Sequence, residues 1–186
     1  FTSSVSVWAE VIGSDWSYGP IGFSTDAYPC VVGVGDVNAD GYDDFVISEP
    51  NYESGYGKVM LWTGNEQGLA DTPTWQCTQG PTFPEHTHLR LGAGNGNGVV
   101  GGDINGDGIN DLLIGASYYR TSNIGGDPET SSGGVLVWYG GADSFTVDAT
   151  ADMAHWVGRS WDDQENPRLG RANAIVDVNG DGYGDV

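Results

Sequence analysis

Nine residues, Asp36-Val37-Asn38-Ala39-Asp40-Gly41-Tyr42-Asp43-Asp44, set the pattern for the whole chain, because the same arrangement returns twice. It recurs as Asp103-Ile104-Asn105-Gly106-Asp107-Gly108-Ile109-Asn110-Asp111 and as Asp177-Val178-Asn179-Gly180-Asp181-Gly182-Tyr183-Gly184-Asp185. Each copy reads D-x-N-x-D-G-x-x-D. Side-chain oxygens stand at positions 1, 3, 5 and 9, and the glycine at position 6 is where a loop wrapped round a cation needs positive φ. Carboxylates and carboxamides are hard ligands, suited to Ca²⁺, which takes six to eight oxygens; the backbone carbonyl of position 7 adds one more. The candidate ligands are therefore Asp36, Asn38, Asp40, Tyr42 and Asp44 in the first copy and Asp103, Asn105, Asp107, Ile109 and Asp111 in the second. In the third they are Asp177, Asn179, Asp181, Tyr183 and Asp185, so the chain is expected to hold up to three calcium ions. No copy contains a thiol or imidazole, which disfavours zinc. Asp, Asn and Gly also build plain surface turns, but such turns have no reason to repeat one ligand spacing three times.

The residues after each loop distinguish it from an EF-hand, which needs a bidentate Glu at position 12 and a flanking helix. Position 12 is Ile47 in the first copy and Ile114 in the second, inside the apolar runs Phe45-Val46-Ile47 and Leu112-Leu113-Ile114. The ninth-position Asp therefore opens a buried strand.

Consecutive copies start 67 residues apart (36 to 103) and then 74 apart (103 to 177), the spacing of an array unit. Within the first period, strands are predicted at Val31 to Val34, Phe45 to Ser48, Lys58 to Thr63 and Thr74 to Thr78. The second period repeats the order with Val99-Val100, Leu112 to Gly115, Gly134 to Tyr139 and a strand around Trp156. Four strands per period is the blade of a β-propeller, so the fold class is all-β, built of four-stranded antiparallel blades with the acidic loop between first and second strands. An outer strand is expected within about 1–12, blades at about 30–79 and 97–158, and the start of a third at about 170–186. Gly13 to Pro29 reads as loop, from its Gly, Ser and Pro content.

These residues resemble the FG-GAP repeats of integrin α-subunit propellers. The family pattern, F-G-x-S-V-A-x-G-D-x-N-x-D-G-x-x-D-L-x-x-G-A-P followed by a G-x-V-x-x-W/F strand, is matched by Gly102-Asp103 through Gly115-Ala116 and by Gly35-Asp36 through Ser48-Glu49-Pro50. One departure concerns the F-G pair, which is reduced to Leu169-Gly170 in the third unit and has no assigned place in the first two. The resemblance implies that the calcium sites are structural and that ligands meet the opposite face or the longer loops. Those loops are Glu49 to Gly57, with Tyr52 and Tyr56, and Ser117 to Gly133, with Tyr118, Tyr119 and Arg120; Tyr and Arg are favoured at binding hot spots. The alternative for these aromatics is that they pack their own loops.

Charge bounds the partners. The formal net charge of -20 comes from 26 acidic residues against six basic ones, so nucleic acid is not an expected partner. Ten of the 26 carboxylates lie in the three loops, where bound calcium would relieve their repulsion. No apolar run is long enough to span a membrane as a helix, so no insertion is expected. Calcium loops and acidity fit a secreted or cell-surface protein. No nucleophile elbow, metalloprotease or phosphate-loop motif is present, and His86-Thr87-His88 reads as surface, so the chain is not expected to be an enzyme. Cys30 and Cys77 permit either one disulfide or two buried thiols. Trp8, Trp62, Trp75, Trp138 and Trp156 recur at matching strand positions and are expected to pack between blades.

A propeller needs at least four blades, or about 280 residues at this period, and the chain has under three. It is therefore read as part of a larger propeller or as a subunit that completes its blades with neighbouring copies. The expected function is a calcium-stabilised extracellular binding or adhesion module with a protein ligand. The alternatives are a glycan-binding propeller lectin and a structural subunit of an extracellular assembly.

Overall fold

The computed structural model describes residues 4–11, 14–22, 29–80, 88–94, 97–119, 133–159 and 168–186. Strands β3 (Val31–Gly35), β4 (Asp44–Glu49), β5 (Lys58–Trp62) and β6 (Trp75–Thr78) pair in chain order, each antiparallel to the next. The second sheet repeats the meander with β7 (Val99–Gly102), β8 (Asp111–Ala116), β9 (Gly134–Trp138) and, after a short intervening strand, β11 (Trp156–Arg159). These are two blades of a β-propeller type, all-β as the sequence predicts, with an acidic loop joining first strand to second in each. Among the described residues no helix is long and apolar enough to cross a membrane.

The central strands of each blade are buried on both faces, which explains why they read as continuous apolar runs. Along β8, Leu112, Ile114 and Ala116 face the first blade while Leu113 faces the other way. Along β5 the same alternation sends Val59 and Leu61 into the shared core and Met60 and Trp62 to the far side, against Ile47 and Phe45. The shared core is therefore made by the facing surfaces of two sheets. Trp75 of β6 sits in it, edge-on to Trp138 at 5.8 Å and to Phe145 at 5.1 Å between ring centroids. The inner strands come close at Gly101 of β7, where a Cβ would collide with the Val34 carbonyl of β3, so only glycine fits there.

The loop Tyr139 to His155 of the second blade reaches back over the first. Its short strand β10 (Ala149–Thr150) runs parallel to β6, and Asp148 accepts bonds from the Gln76 backbone N–H (3.1 Å) and side-chain Nε2 (2.8 Å). The outer edge of the first blade is thereby paired instead of open.

Three expectations need correction or completion. The segment read as loop after Gly13 contains a strand, β2 (Ser14–Gly22), antiparallel to β1 (Ser4–Val11), and β1 pairs with β2 in a two-stranded sheet of its own. The alternating aromatics Trp16 and Tyr18 outweigh the Gly and Pro content that suggested a loop. Trp62, Trp75 and Trp138 are buried as expected, but Trp156 is 49% exposed, because it lies on the face of the second blade turned toward the third unit, of which this sequence supplies no full sheet. The side chain of Trp8 lies outside the described residues. The cysteines are two buried thiols: Cys30 precedes β3 and Cys77 lies on β6, three strand spacings or about 14 Å away across the sheet, beyond disulfide reach. Burial pushes both thiols up from their ordinary pKa.

Because Trp75 joins two blades, replacing it is expected to uncouple them. Trp75→Ala should cost about 3–5 kcal/mol in chemical denaturation; a loss below about 1 kcal/mol would show that the blade interface does not depend on this ring.

Candidate metal loops and the opposite face

The three acidic loops share one hydrogen-bonded form. In the first, the Asp36 carboxylate accepts the backbone N–H groups of Asp40 (3.1 Å) and Gly41 (2.8 Å). The Asn38 side-chain oxygen accepts the same Asp40 N–H (3.1 Å), and the Asp40 carboxylate accepts Tyr42 N–H (2.9 Å). In the second, Asp103 accepts from Gly106, Asp107 and Gly108, Asn105 from Asp107, and Asp107 from Ile109. In the third, Asp177 accepts from Gly180, Asp181 and Gly182, Asn179 from Asp181, and Asp181 from Tyr183. The oxygens at positions 1 and 3 thus converge on a single N–H in every copy.

Position 9 does a different job. Asp44 accepts Val37 N–H (2.9 Å) with one carboxylate oxygen and Gly64 N–H (2.8 Å) with the other, so it clips the loop to the end of the third strand. Asp111 does the same with Ile104 and Asn105 on one oxygen and Gly140 on the other, and Asp185 accepts Val178 N–H. Asp44 and Asp111 are almost wholly buried. Burial pushes the carboxyl pKa of both up, opposed by these backbone bonds, whereas the backbone N–H groups round the exposed Asp177 hold its pKa down. For Asp44 and Asp111 the raised value means that, in the metal-free chain, each contributes stability below the ordinary carboxylate range that is lost as pH rises through the raised one. A bound cation reverses that sign by favouring the charged form.

Among the described residues, no three Asp, Glu, His or Cys side chains gather into a single metal-holding group. The donor set nevertheless fits a hard cation: the position-1 carboxylate and position-3 carboxamide oxygen share one N–H, the position-5 carboxylate accepts a single backbone N–H, and the ninth-position carboxylate keeps at least one free lone pair.

Sequence reasoning identified the need for positive φ at position 6, met by Gly41 (91°), Gly108 (86°) and Gly182 (89°), but missed a second one at position 4. There Gly106 and Gly180 both take φ 77°, and Ala39 takes 61°. The signal was in the alignment of the three copies, where glycine occupies position 4 twice.

The other ends of the strands carry the proposed ligand loops. Lys58 lies 5.1 Å over the Tyr52 ring, and Tyr56 stacks on His88 at 5.5 Å. Tyr118 is approached by Arg90 at 4.6 Å and by Arg168 at 5.1 Å, and Tyr119 by Arg159 at 5.7 Å. Four tyrosines predicted from two separate loops are thus all half-buried beside cations or an imidazole, and Tyr119 also packs against the core. Arg120 and His86 lie outside the described residues. The missing family pair also finds its place here: Leu91-Gly92 and Leu169-Gly170 each follow an arginine at φ 51°, and Leu91 and Leu169 bridge in parallel to Gly57 and Gly133. The second unit therefore has the pair, as Leu-Gly.

Two propeller-type blades, each carrying an oxygen-rich loop between its first strands, define a repeat protein of the β-propeller class. The FG-GAP-like repeat model matches residues 36–114 and the FG-GAP repeat model residues 95–138. The chain belongs to the FG-GAP, integrin α-like family. It is 41% identical over 86 residues to integrin alpha-PS5 of Drosophila melanogaster, covering 45% of this chain and 8% of that protein. It is 36% identical over 93 residues to integrin alpha-IIb of Mus musculus, covering 49% and 8%, and 26% identical over 170 residues to integrin alpha pat-2 of Caenorhabditis briggsae, covering 91% and 13%. The chain thus spans about a tenth of the length of these relatives.

Ala39 alone meets the position-4 conformation with a side chain. Ala39→Gly should raise stability by about 1 kcal/mol, the left-handed penalty less the chain entropy of glycine, which is about 2 °C in melting temperature. A melting temperature that stays level or falls would argue against strain at this position.

Proposed function

We propose that this chain is part of a calcium-braced, extracellular binding propeller of integrin type, mediating adhesion or recognition of a protein ligand and having no enzymatic activity. The observation that carries the reading is the threefold recurrence of one loop conformation, in which the oxygens of positions 1 and 3 meet on the position-5 N–H and the position-5 carboxylate accepts the position-7 N–H. In this reading each of the three loops holds one Ca²⁺, through side-chain oxygens of positions 1, 3, 5 and 9 and the carbonyl of position 7. The ion supplies positive charge among ten clustered carboxylates and has no part in any reaction.

The ligand meets the opposite ends of the strands, where Tyr52, Tyr118 and Tyr119 stand beside Lys58, Arg90, Arg159 and Arg168 and Tyr56 stacks on His88, with Arg120 adjoining in sequence. The half-buried rings are held by their neighbours, so they present a pre-ordered surface that loses little entropy on binding. Further partners of the chain are the remaining blades. Trp156 is half-exposed on the face of the second blade where the next blade would stack, as Trp138 stacks on Trp75. The integrin α resemblance supports a secreted or cell-surface location.

The metal assignment is tested by melting the protein in calcium and in chelator. Asp103→Ala or Asp107→Ala should lower the melting temperature in calcium and reduce the calcium-dependent increment, since a ligand that binds only the folded state stabilises it by mass action. Identical melts with and without chelator would sink the assignment. The increment should also grow as pH rises above the ordinary carboxylate range, because the metal-free fold loses the contribution of neutral Asp44 and Asp111 while the calcium-bound fold gains charged ligands. An increment independent of pH would contradict the use of these carboxylates.

A further inference from the structure

The three loops touch one another in a repeated way that their individual ligand sets do not require. The backbone N–H at position 8 of each later loop donates to the position-1 carbonyl of the loop before it: Asn110 to Asp36 at 3.2 Å, and Gly184 to Asp103 at 2.7 Å. The Asn110 side chain adds a bond from Nδ2 to the Val34 carbonyl at 2.9 Å, and Gly141 N–H, from the end of the second blade's third strand, grips the Val37 carbonyl at 2.9 Å. Position 7 reaches back as well in the third loop, where the Tyr183 ring lies over Gly106 so closely that a Cβ there would stand 2.7 Å from it. The position-1 aspartate is thus held at both ends. Its carboxylate belongs to its own loop, and its carbonyl to the next blade.

We infer that Asn110 and Gly184 are positioning residues for the metal site of the neighbouring loop, and that calcium occupancy of successive loops is coupled through their backbone N–H groups. The inference rests on the calcium reading above. A cation entering a loop takes the free lone pairs of the carboxylates at positions 1 and 5 and must order the loop around itself. The position-1 residue cannot shift without moving the carbonyl to which the next loop is bonded. Ordering one loop therefore orders part of its neighbour, and the second ion meets a smaller ordering cost, which is positive coupling. By linkage the effect is equal in both directions.

Gly184 isolates this contact. It offers no side-chain ligand, and its φ is not positive, so alanine is conformationally acceptable there. An added Cβ, however, would stand 2.6 Å from the Asp103 carbonyl and 2.5 Å from Ile175 Cγ2. Gly184→Ala thus pushes on the second loop while leaving Asp177, Asn179, Asp181 and Asp185 of the third in place.

The test is a calcium titration of the intact protein followed by hydrogen exchange, read separately in peptides covering 36–44, 103–111 and 177–185. Disabling the third loop with Asp177→Ala should raise the calcium midpoint of the second loop about fivefold or more. In the Gly184→Ala background, where the contact is already broken, Asp177→Ala should have no further effect on that midpoint. Asp181→Ala repeats the comparison through another ligand, so that a folding defect peculiar to one variant does not decide it. A second-loop midpoint unmoved by both third-loop variants overturns the coupling while leaving calcium binding intact. The absence of calcium-dependent protection in all three peptides overturns the calcium reading and the coupling with it.

Discussion

The carboxylate at the ninth position of the first two acidic loops joins the loop to the end of the third strand of its blade. Asp44 and Asp111 are taken out of water at the mouth of a strand, and each uses one oxygen on its own loop and the other on the end of the third strand. A buried carboxylate without such partners would be expensive, and one that takes three backbone N–H groups, as Asp111 does, turns that expense into a clip. The loop is thereby held to the blade before any metal is considered.

From this clip the rest of the architecture extends outward. The residue after the clip enters a strand whose two faces are both covered, so Leu112, Leu113 and Ile114 are all apolar although they alternate between faces. The same pairing places Trp62 and Trp138 at equivalent registers, opposite Phe45 and Leu112. Stacking of one blade on the next then brings Trp75 to Trp138 and leaves Trp156, the corresponding residue of the second blade, with its ring half in solvent. The blade is the unit of folding, and its neighbour is the condition for burying its face.

Much of this was legible in the chain. The loop motif, the apolar runs after it and the 67-residue spacing placed seven of the blade strands to within two residues, and an eighth around Trp156, because each signal is local and repeats. The β1–β2 hairpin was only half legible, since a strand containing Gly19, Pro20 and Gly22 looks like a loop until its partner is known. The Leu91-Gly92 pair was missed for a similar reason. Its identity lies in a parallel bridge to Gly57 and in the left-handed turn at Arg90, and neither leaves a mark in residue type alone.

The sequence by itself determined the fold class, the family and the chemistry of the loop oxygens, because hydrophobic periodicity, turn glycines and ligand spacing are properties of neighbouring residues. Tertiary structure alone decided that Cys30 and Cys77 lie too far apart to bridge, that Trp156 differs from its repeat equivalent, and that each later loop leans on the one before it through Asn110 or Gly184. Those outcomes depend on distances across and between sheets. Such distances arise only when strands far apart in the chain are packed together, and no local pattern encodes them.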